Sequence, residues 1–197
     1  MNFLAHLNLS GESDDIKLGN FIGDFVKGKE IDSYPEEIRK GIRLHRIIDS
    51  YTDSHSIVSE SKSKLRNKYR HYSGVIVDVY YDHFLAKNWD MYSSVQLDRF
   101  AEDTYELVRS RLSELPERVS NLLYYMSKGN WLYNYQYVEG IRRTLTGMSN
   151  RTRFESRMEE AHQDLVDNYQ AFASEFDRFY PDLQAEAQSF LNTGKSN

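Results

Sequence analysis

Residues 73–89 read S-G-V-I-V-D-V-Y-Y-D-H-F-L-A-K-N-W. The stretch is β-branched in part, yet it is apolar on most sides and far longer than the roughly 5–6 residues of a typical strand. It therefore predicts a buried helix, and with it an all-α protein.

Working upstream, Ile38, Ile42, His45, Asp49 and Thr52 recur at spacings of four, three, four and three, which is one stripe of a helix. Pro35 suits the first turn of that helix, followed by Glu36 and Glu37. Residues 3–9 fit a short helix. Gly19-Asn20 and Gly23 punctuate the next segment, where a helix or turn carries Asp24 to Lys27. Residues 56–70 are polar and basic, with few aliphatics. Downstream, Ser93 or Ser94 can cap a helix reaching to about Leu115. Pro116 opens another, with Val119, Leu122, Leu123 and Met126 inward and Gly129 closing it. Residues 130–137 form an aromatic connector, and 138–148 are helical. Residues 151–190 give one or two long amphipathic helices, split near Tyr180-Pro181. A frayed tail is expected over 192–197. No repeat, low-complexity stretch or linker divides residues 1–197, so a single compact helical domain is expected.

Composition narrows the chemistry. The 197 residues carry a net charge of −5, a poor match to bulk nucleic-acid binding. Cysteine is absent, which excludes disulfides, Cys-ligated zinc, iron–sulfur clusters and thiol catalysis. The start, M-N-F-L-A-H-L-N-L-S, is interrupted by His6 and Asn8, unlike an export signal. No run approaches the roughly 18 apolar residues of a membrane span. The cytoplasm is the expectation by elimination.

Charged residues on apolar helix faces are costly unless paired, and the first half of the chain places several there. His45 and Asp49 lie four apart on the apolar stripe, so they point the same way. Asp78 and Asp82 repeat that spacing in the buried helix, with His83 next. His6 sits in an apolar segment, and Asp24 lies between Gly23 and Phe25. Such nitrogen and oxygen donors suit a hard or borderline divalent ion, which can polarise a phosphoryl oxygen. Each pair is equally compatible with structural hydrogen bonding. Asp53 continues the series from Asp49, and His55 follows at the helix end; both read either as helix-end residues or as members of the same cleft. Lys62, Lys64, Arg66, Lys68 and Arg70 concentrate positive charge in an acidic chain, either as a solvated face or as a surface for an acidic partner. Arg46 is a candidate phosphate clamp, or a partner for a nearby Glu. The rings of Trp131, Tyr133, Tyr135 and Tyr137 form a packed connector or the wall of an apolar groove.

Several blocks resemble the acyl carrier protein phosphodiesterases. They are M-N-F-L-A-H-L at 1–7, G-N-F-I-G-D-F-V-K-G at 19–28 and G-I-R-L-H-R-I-I-D-S-Y-T-D-S-H at 41–55. S-K-S-K-L-R at 61–66, Y-S-G-V-I-V-D-V-Y-Y-D-H-F-L-A at 72–86 and G-I-R-R-T-L-T-G-M-S at 140–149 extend the match through nearly the whole chain. The resemblance implies an HD-domain-like helical fold. It also implies hydrolysis of the phosphodiester linking 4′-phosphopantetheine to a serine of holo-acyl carrier protein, a strongly acidic partner. The implied cofactor is a divalent metal, typically Mn2+, with Mg2+ or Fe2+ as alternatives. Carried over residue by residue, the family's motifs fall on His6, Asp24, His45, Asp49 and Asp78 as metal ligands, with Asp24, His45 and Asp78 catalytic. Asp53, His55, Asp82 and His83 stand as further ligands or neighbours. Arg46, Lys27 and Arg43 are placed to neutralise phosphate charge, and Lys62, Lys64, Arg66, Lys68 and Arg70 to meet the carrier protein. One departure is the lack of an adjacent His-Asp dipeptide; Asp82-His83 has the reverse order. The competing readings are an HD-type nucleotidase or cyclic-nucleotide phosphodiesterase, and a non-catalytic helical adaptor that binds the carrier protein.

Overall fold

The apolar character of residues 73–89 is met by burial on almost every side. In the computed structural model, which describes residues 1–193, Ser73–Lys87 is a helix with Ile76, Val77 and every residue from Val79 to Ala86 buried. Eleven α-helices make up the described chain: α1 (Phe3–Asn8), α2 (Asp14–Phe21), α3 (Glu36–Ser54), α4 (Ser56–Tyr69), α5 (Ser73–Lys87), α6 (Leu97–Ser110), α7 (Arg118–Lys128), α8 (Trp131–Asn134), α9 (Val138–Ser149), α10 (Ala161–Asp167) and α11 (Tyr169–Asn192). Short 3-10 turns link several of them, and no strand occurs among the described residues. The protein is all-α around one core, as the sequence predicts.

Helix α5 is the axis of that core. It touches α1, α4, α9 and α11. On α11, Phe172, Phe176 and Phe179 meet Tyr80 and Tyr81 ring against ring, with Tyr80–Phe172 and Tyr81–Phe176 edge-on at 5.0 and 5.7 Å. Edge-on contact suits the ring quadrupoles and adds about 0.5–1.5 kcal/mol per pair beyond burial.

The most extensive helix contact joins α2 to α3. Ser13 caps α2 by accepting the Ile16 N–H. Gly19 sits in the middle of α2 rather than at a break, and faces Gly41 on α3. A Cβ on Gly19 would stand 2.0 Å from the Ile38 carbonyl oxygen, and one on Gly41 would stand 2.1 Å from that of Ile16. The two backbones therefore touch directly, and no side chain fits between them.

Residues 56–69 form α4, which buries Val58, Ser61, Leu65 and Tyr69. Three expectations are corrected. Helix α6 starts after Gln96, because Ser93 spends its hydroxyl on Val95 in a local turn. The aromatic connector holds a short helix, and Leu132 and Tyr135 pack inside. The break in the C-terminal region falls at Asn168, and α11 runs straight through Pro181. Proline removes one helix hydrogen bond. Here Pro181 and Asp177, whose carbonyl loses that bond, both lie on the exposed side, while Phe179, Tyr180 and Leu183 hold the helix to the core. Of the tail expected over 192–197, Asn192 still belongs to α11, and residues 194–197 lie outside the described part.

Candidate functional site

His6 on α1 and His45 on α3 stack face to face, ring centroids 4.0 Å apart. Both rings are buried. Gly23, in the turn after α2, makes room for this: a Cβ there would lie 2.2 Å from Cγ of His45. Asp49, one turn along α3 from His45, completes the group. Its Oδ1 is 3.1 Å from His6 Nε2, and its Oδ2 is 3.2 Å from His45 Nε2. One donor atom from each of the three residues lies within 4.8 Å of the others.

Asn20 orients both imidazoles. Its side-chain amide donates to the His6 carbonyl at 2.7 Å and to Ser10 Oγ at 2.9 Å, leaving Oδ1 as an acceptor. His6 Nδ1 therefore donates to Asn20 Oδ1 at 2.8 Å. His45 Nδ1 donates to the Asn20 backbone carbonyl, also at 2.8 Å. With the Nδ1 positions committed, each Nε2 faces the carboxylates. This is the arrangement in which a second residue fixes the tautomer and aim of a ligating histidine.

The electrostatics separate the two rings. Burial drives the His6 pKa down to about 4, against the pull of Asp49. His6 is thus neutral, and its Nε2 lone pair points at an ionised carboxylate. Burial also opposes charge on His45, but Asp24 and Asp49 outweigh it and raise its pKa to about 9. Burial would raise the Asp49 pKa, yet His45, His6 and the Met1 amino group hold it far below the usual carboxylate range. His45 holds the Asp24 carboxyl low, against its partial burial.

Asp24 is the exposed member, its Oδ1 3.4 Å from His45 Nε2. Asp78, half-buried on α5, joins through the Met1 amino group, which lies 3.2 Å from Asp78 Oδ1 and 3.6 Å from Asp49 Oδ1. Burial raises the Asp78 pKa, partly countered by that amino group. His6, Asp24, His45 and Asp78 line one cavity of about 210 Å³, whose apolar wall comes from Phe3, Val75, Val79 and Met148. All five residues that the family motifs mark as ligands thus converge.

Whether they suit a metal ion is decided by three atoms. His45 Nε2 is buried between Asp24 and Asp49 with no well-directed hydrogen bond to either. His6 Nε2 and Asp49 Oδ1 are two acceptors 3.1 Å apart with no proton to share. A cation fills the gap between those two acceptors and, at His45, takes the place of the proton that Asp24 and Asp49 otherwise hold on Nε2, so the donor set fits one.

The remaining sequence candidates do other work. Asp82 is buried and accepts the Leu4 and Ala5 N–H groups at 2.8 and 3.1 Å, fixing the start of α1. Burial raises its pKa to about 7, although those two N–H groups oppose the rise. His83 lies between the Tyr135 carbonyl at 2.7 Å and the Tyr169 hydroxyl at 2.9 Å, away from the cavity. His55 caps α4 by accepting the Ile57 N–H, and packs on Phe179. Asp53 is exposed and lines a neighbouring cleft with Lys62. Arg43 pairs with Glu36 at 2.9 Å. Lys27 lines a separate cavity with Phe25 and Tyr34. Arg46 donates to the Val26 carbonyl at 3.2 Å, bracing the segment that follows Asp24. None of these three cations lines the cavity of the site.

Sequence reasoning missed Asn20, Phe3 and Met148. For Asn20 the sequence holds no charge anomaly, and its complete burial on α2 is visible only in the structure. The apolar wall of the cavity also comes from α1, α5 and α9, not from the rings of the connector.

Fold and site together define an all-helical protein with a buried His/His/Asp group whose donor atoms lie close enough to share one ion. The chain belongs to the acyl carrier protein phosphodiesterase family, whose model matches residues 1–183. Proteins named acyl carrier protein phosphodiesterase are close to it throughout. One from Klebsiella pneumoniae strain 342 is 36% identical over 190 residues, covering 96% of this chain and 98% of that protein. One from Enterobacter sp. strain 638 is 35% identical over the same coverage. One from Escherichia coli O6:H1 is 34% identical over 188 residues, covering 95% and 97%. No solved structure matches the chain significantly.

Proposed function

We propose that this protein is a metal-dependent hydrolase that releases 4′-phosphopantetheine from holo-acyl carrier protein, leaving the apo form. The observation that carries the reading is the pair of facing acceptors, His6 Nε2 and Asp49 Oδ1, in a chain of this family. His6, His45 and Asp49 would hold the ion, with Asp24 and Asp78 beside them. The mixed imidazole and carboxylate set favours manganese, with magnesium or iron(II) as alternatives. When bound, such an ion stabilises charge on phosphoryl oxygen and lowers the pKa of water.

The chain's own residues do the rest. Asn20 keeps both imidazoles aimed. In the reaction, water adds to phosphorus and the bond from phosphorus to the serine oxygen breaks. Water must lose a proton, and the serine oxygen must gain one. Asp24 and Asp78 are the carboxyl groups that line the cavity and are left for that traffic. Asp78 is the more readily protonated, since burial raises its pKa. The apolar wall of Phe3, Val75 and Met148 suits the methyl-bearing pantoyl part of the arm. No helix among the described residues is long and apolar enough to cross a membrane. A carrier-protein substrate supports a cytoplasmic site of action.

The test is intact-mass measurement of holo-acyl carrier protein incubated with the protein and manganese. Loss of the phosphopantetheine mass is the expected result. No loss, with phosphate released from a nucleotide panel, would transfer the assignment to a nucleotidase.

A further inference from the structure

The basic segment of α4 is not one surface. Lys64 pairs with Glu175 and Glu60, and Lys68 with Asp164 and Glu160, so these two face α10 and α11 and are neutralised there. Lys62, Arg66 and Arg70, four residues apart, form a second stripe. With His71 and Ser73 they line a separate cleft of about 300 Å³. Its one carboxylate is Asp53, which lies 3.6 Å from Lys62. Arg66 and Arg70 are exposed, and neither pairs with a carboxylate among the described residues. Arg70 is held at φ 51° and ψ −122°, a positive-φ backbone that is uncommon for a residue with a side chain.

The cleft stands beside the metal-type centre. Asp53 is one turn along α3 from Asp49, and Gly74 is one turn along α5 before Asp78. Each separation is about 6 Å along a helix. The bond to be broken joins phosphorus to a serine oxygen on the carrier's own surface. The carrier must therefore touch the enzyme next to the centre, not at the far end of the pantetheine arm. The apolar wall takes one side of the cavity, and the cationic cleft lies outside it, next along α3 and α5.

Resting on the proposed function above, we propose that the Lys62, Arg66, Arg70 and His71 cleft seats the acidic segment of the carrier protein that flanks its modified serine. Lys64 and Lys68 take no part in that contact. The substrate then lies in one direction only, carrier over α4 and arm toward Val75 and Met148. Charge of this kind at an interface chiefly sets encounter and orientation.

Steady-state kinetics on holo-acyl carrier protein with manganese test this at low ionic strength. Wild type is compared with Arg66→Glu, Arg70→Glu and the charge-matched Arg118→Glu on α7. Either α4-side variant is expected to raise KM about tenfold, leaving kcat within about twofold, with the gap closing as salt rises. Arg118→Glu should leave KM unchanged. Unchanged KM in Arg66→Glu, or a fall in kcat at constant KM, overturns the docking assignment while the hydrolase reading stands. Arg66 is an exposed residue in the last turn of α4 with ordinary helical backbone, so its variant folds even where Arg70→Glu distorts the chain. A wild-type protein inactive on the carrier overturns both.

Discussion

His45 and His83 present the same evidence in the sequence. Each sits in an apolar helix with an aspartate nearby. In the structure they are opposites. His83 has both ring nitrogens engaged, by the Tyr135 carbonyl and the Tyr169 hydroxyl. His45 has one engaged by the Asn20 carbonyl, and the other buried without a well-directed partner. Asp82 and Asp49 divide the same way: one accepts two backbone N–H groups, while the other faces a lone pair. Most buried polar groups in native proteins are satisfied. Three buried side-chain atoms among the described residues have no partner, His45 Nε2, Thr52 Oγ1 and Asn130 Oδ1, and of these only His45 Nε2 belongs to a group of donor atoms that a ligand can complete. Spacing shows which residues share a face. Only the hydrogen-bond inventory shows which of them are finished.

The sharpest way to break this contrast is to remove one member from each side. Asp49→Ala should cost several kcal/mol of transition-state stabilisation, about a thousandfold in kcat on holo-acyl carrier protein, with the helical circular dichroism retained. His83→Phe should do the reverse. It strands a buried carbonyl and a hydroxyl, costing about 1–3 kcal/mol of unfolding free energy while kcat stays within about twofold. A folded but inactive His83→Phe protein would move His83 into the site and dissolve the distinction.

Asn20→Ala sharpens the comparison from the supporting side. The substitution removes the acceptor of His6 Nδ1 and leaves the backbone carbonyl that holds His45, and losing a partner that orients a ligating histidine typically weakens metal affinity about 10–100-fold. Calorimetric titration with manganese should show that loss. An unchanged affinity would mean that the stacked rings are held in place without Asn20.

The smallest effect is a pH dependence. The His45 pKa rises from 6.5 unfolded to about 9 folded. A raised folded pKa stabilises the protein fully below pH 6.5, and the gain disappears as pH climbs through about 9. Discounting for the exposed Asp24, the contribution is about 1–2 kcal/mol in the metal-free protein. Melts of wild type and His45→Gln should converge above pH 9 and separate below pH 6.5. A constant gap across that window would show that His45 carries no extra proton in the folded state.

The sequence carried the helical class, the burial of residues 73–89 and the convergence of His6, Asp24, His45, Asp49 and Asp78. The first two follow from local spacing. Spacing and the oddity of charge on an apolar stripe marked Asp82 and His83 equally, and the set of five follows from the family resemblance. The sequence did not carry the separation of Asp82, His83 and His55 from the site, because helix phase fixes a direction and not what waits there. For the same reason Lys64 and Lys68 looked equivalent to Lys62 and Arg66 until α10 and α11 were in place. Pro181 misled because the rule against proline in helices is a local one, and the aromatic face of α11 overrides it. Asn20 escaped notice because an amide carries no charge to look out of place.

Gly19 and Gly41 have a consequence for how the site ages under mutation. Side chains in a core swap rotamers and yield, so contacts between them have play. Where α2 and α3 meet there is only main chain, and main chain has none to give. The span from Asn20 to His45 is therefore cut to a fixed gauge, set by two absent methyl groups. A single carbon added at either glycine would push the gauge open, and the two imidazoles, untouched themselves, would no longer share one target.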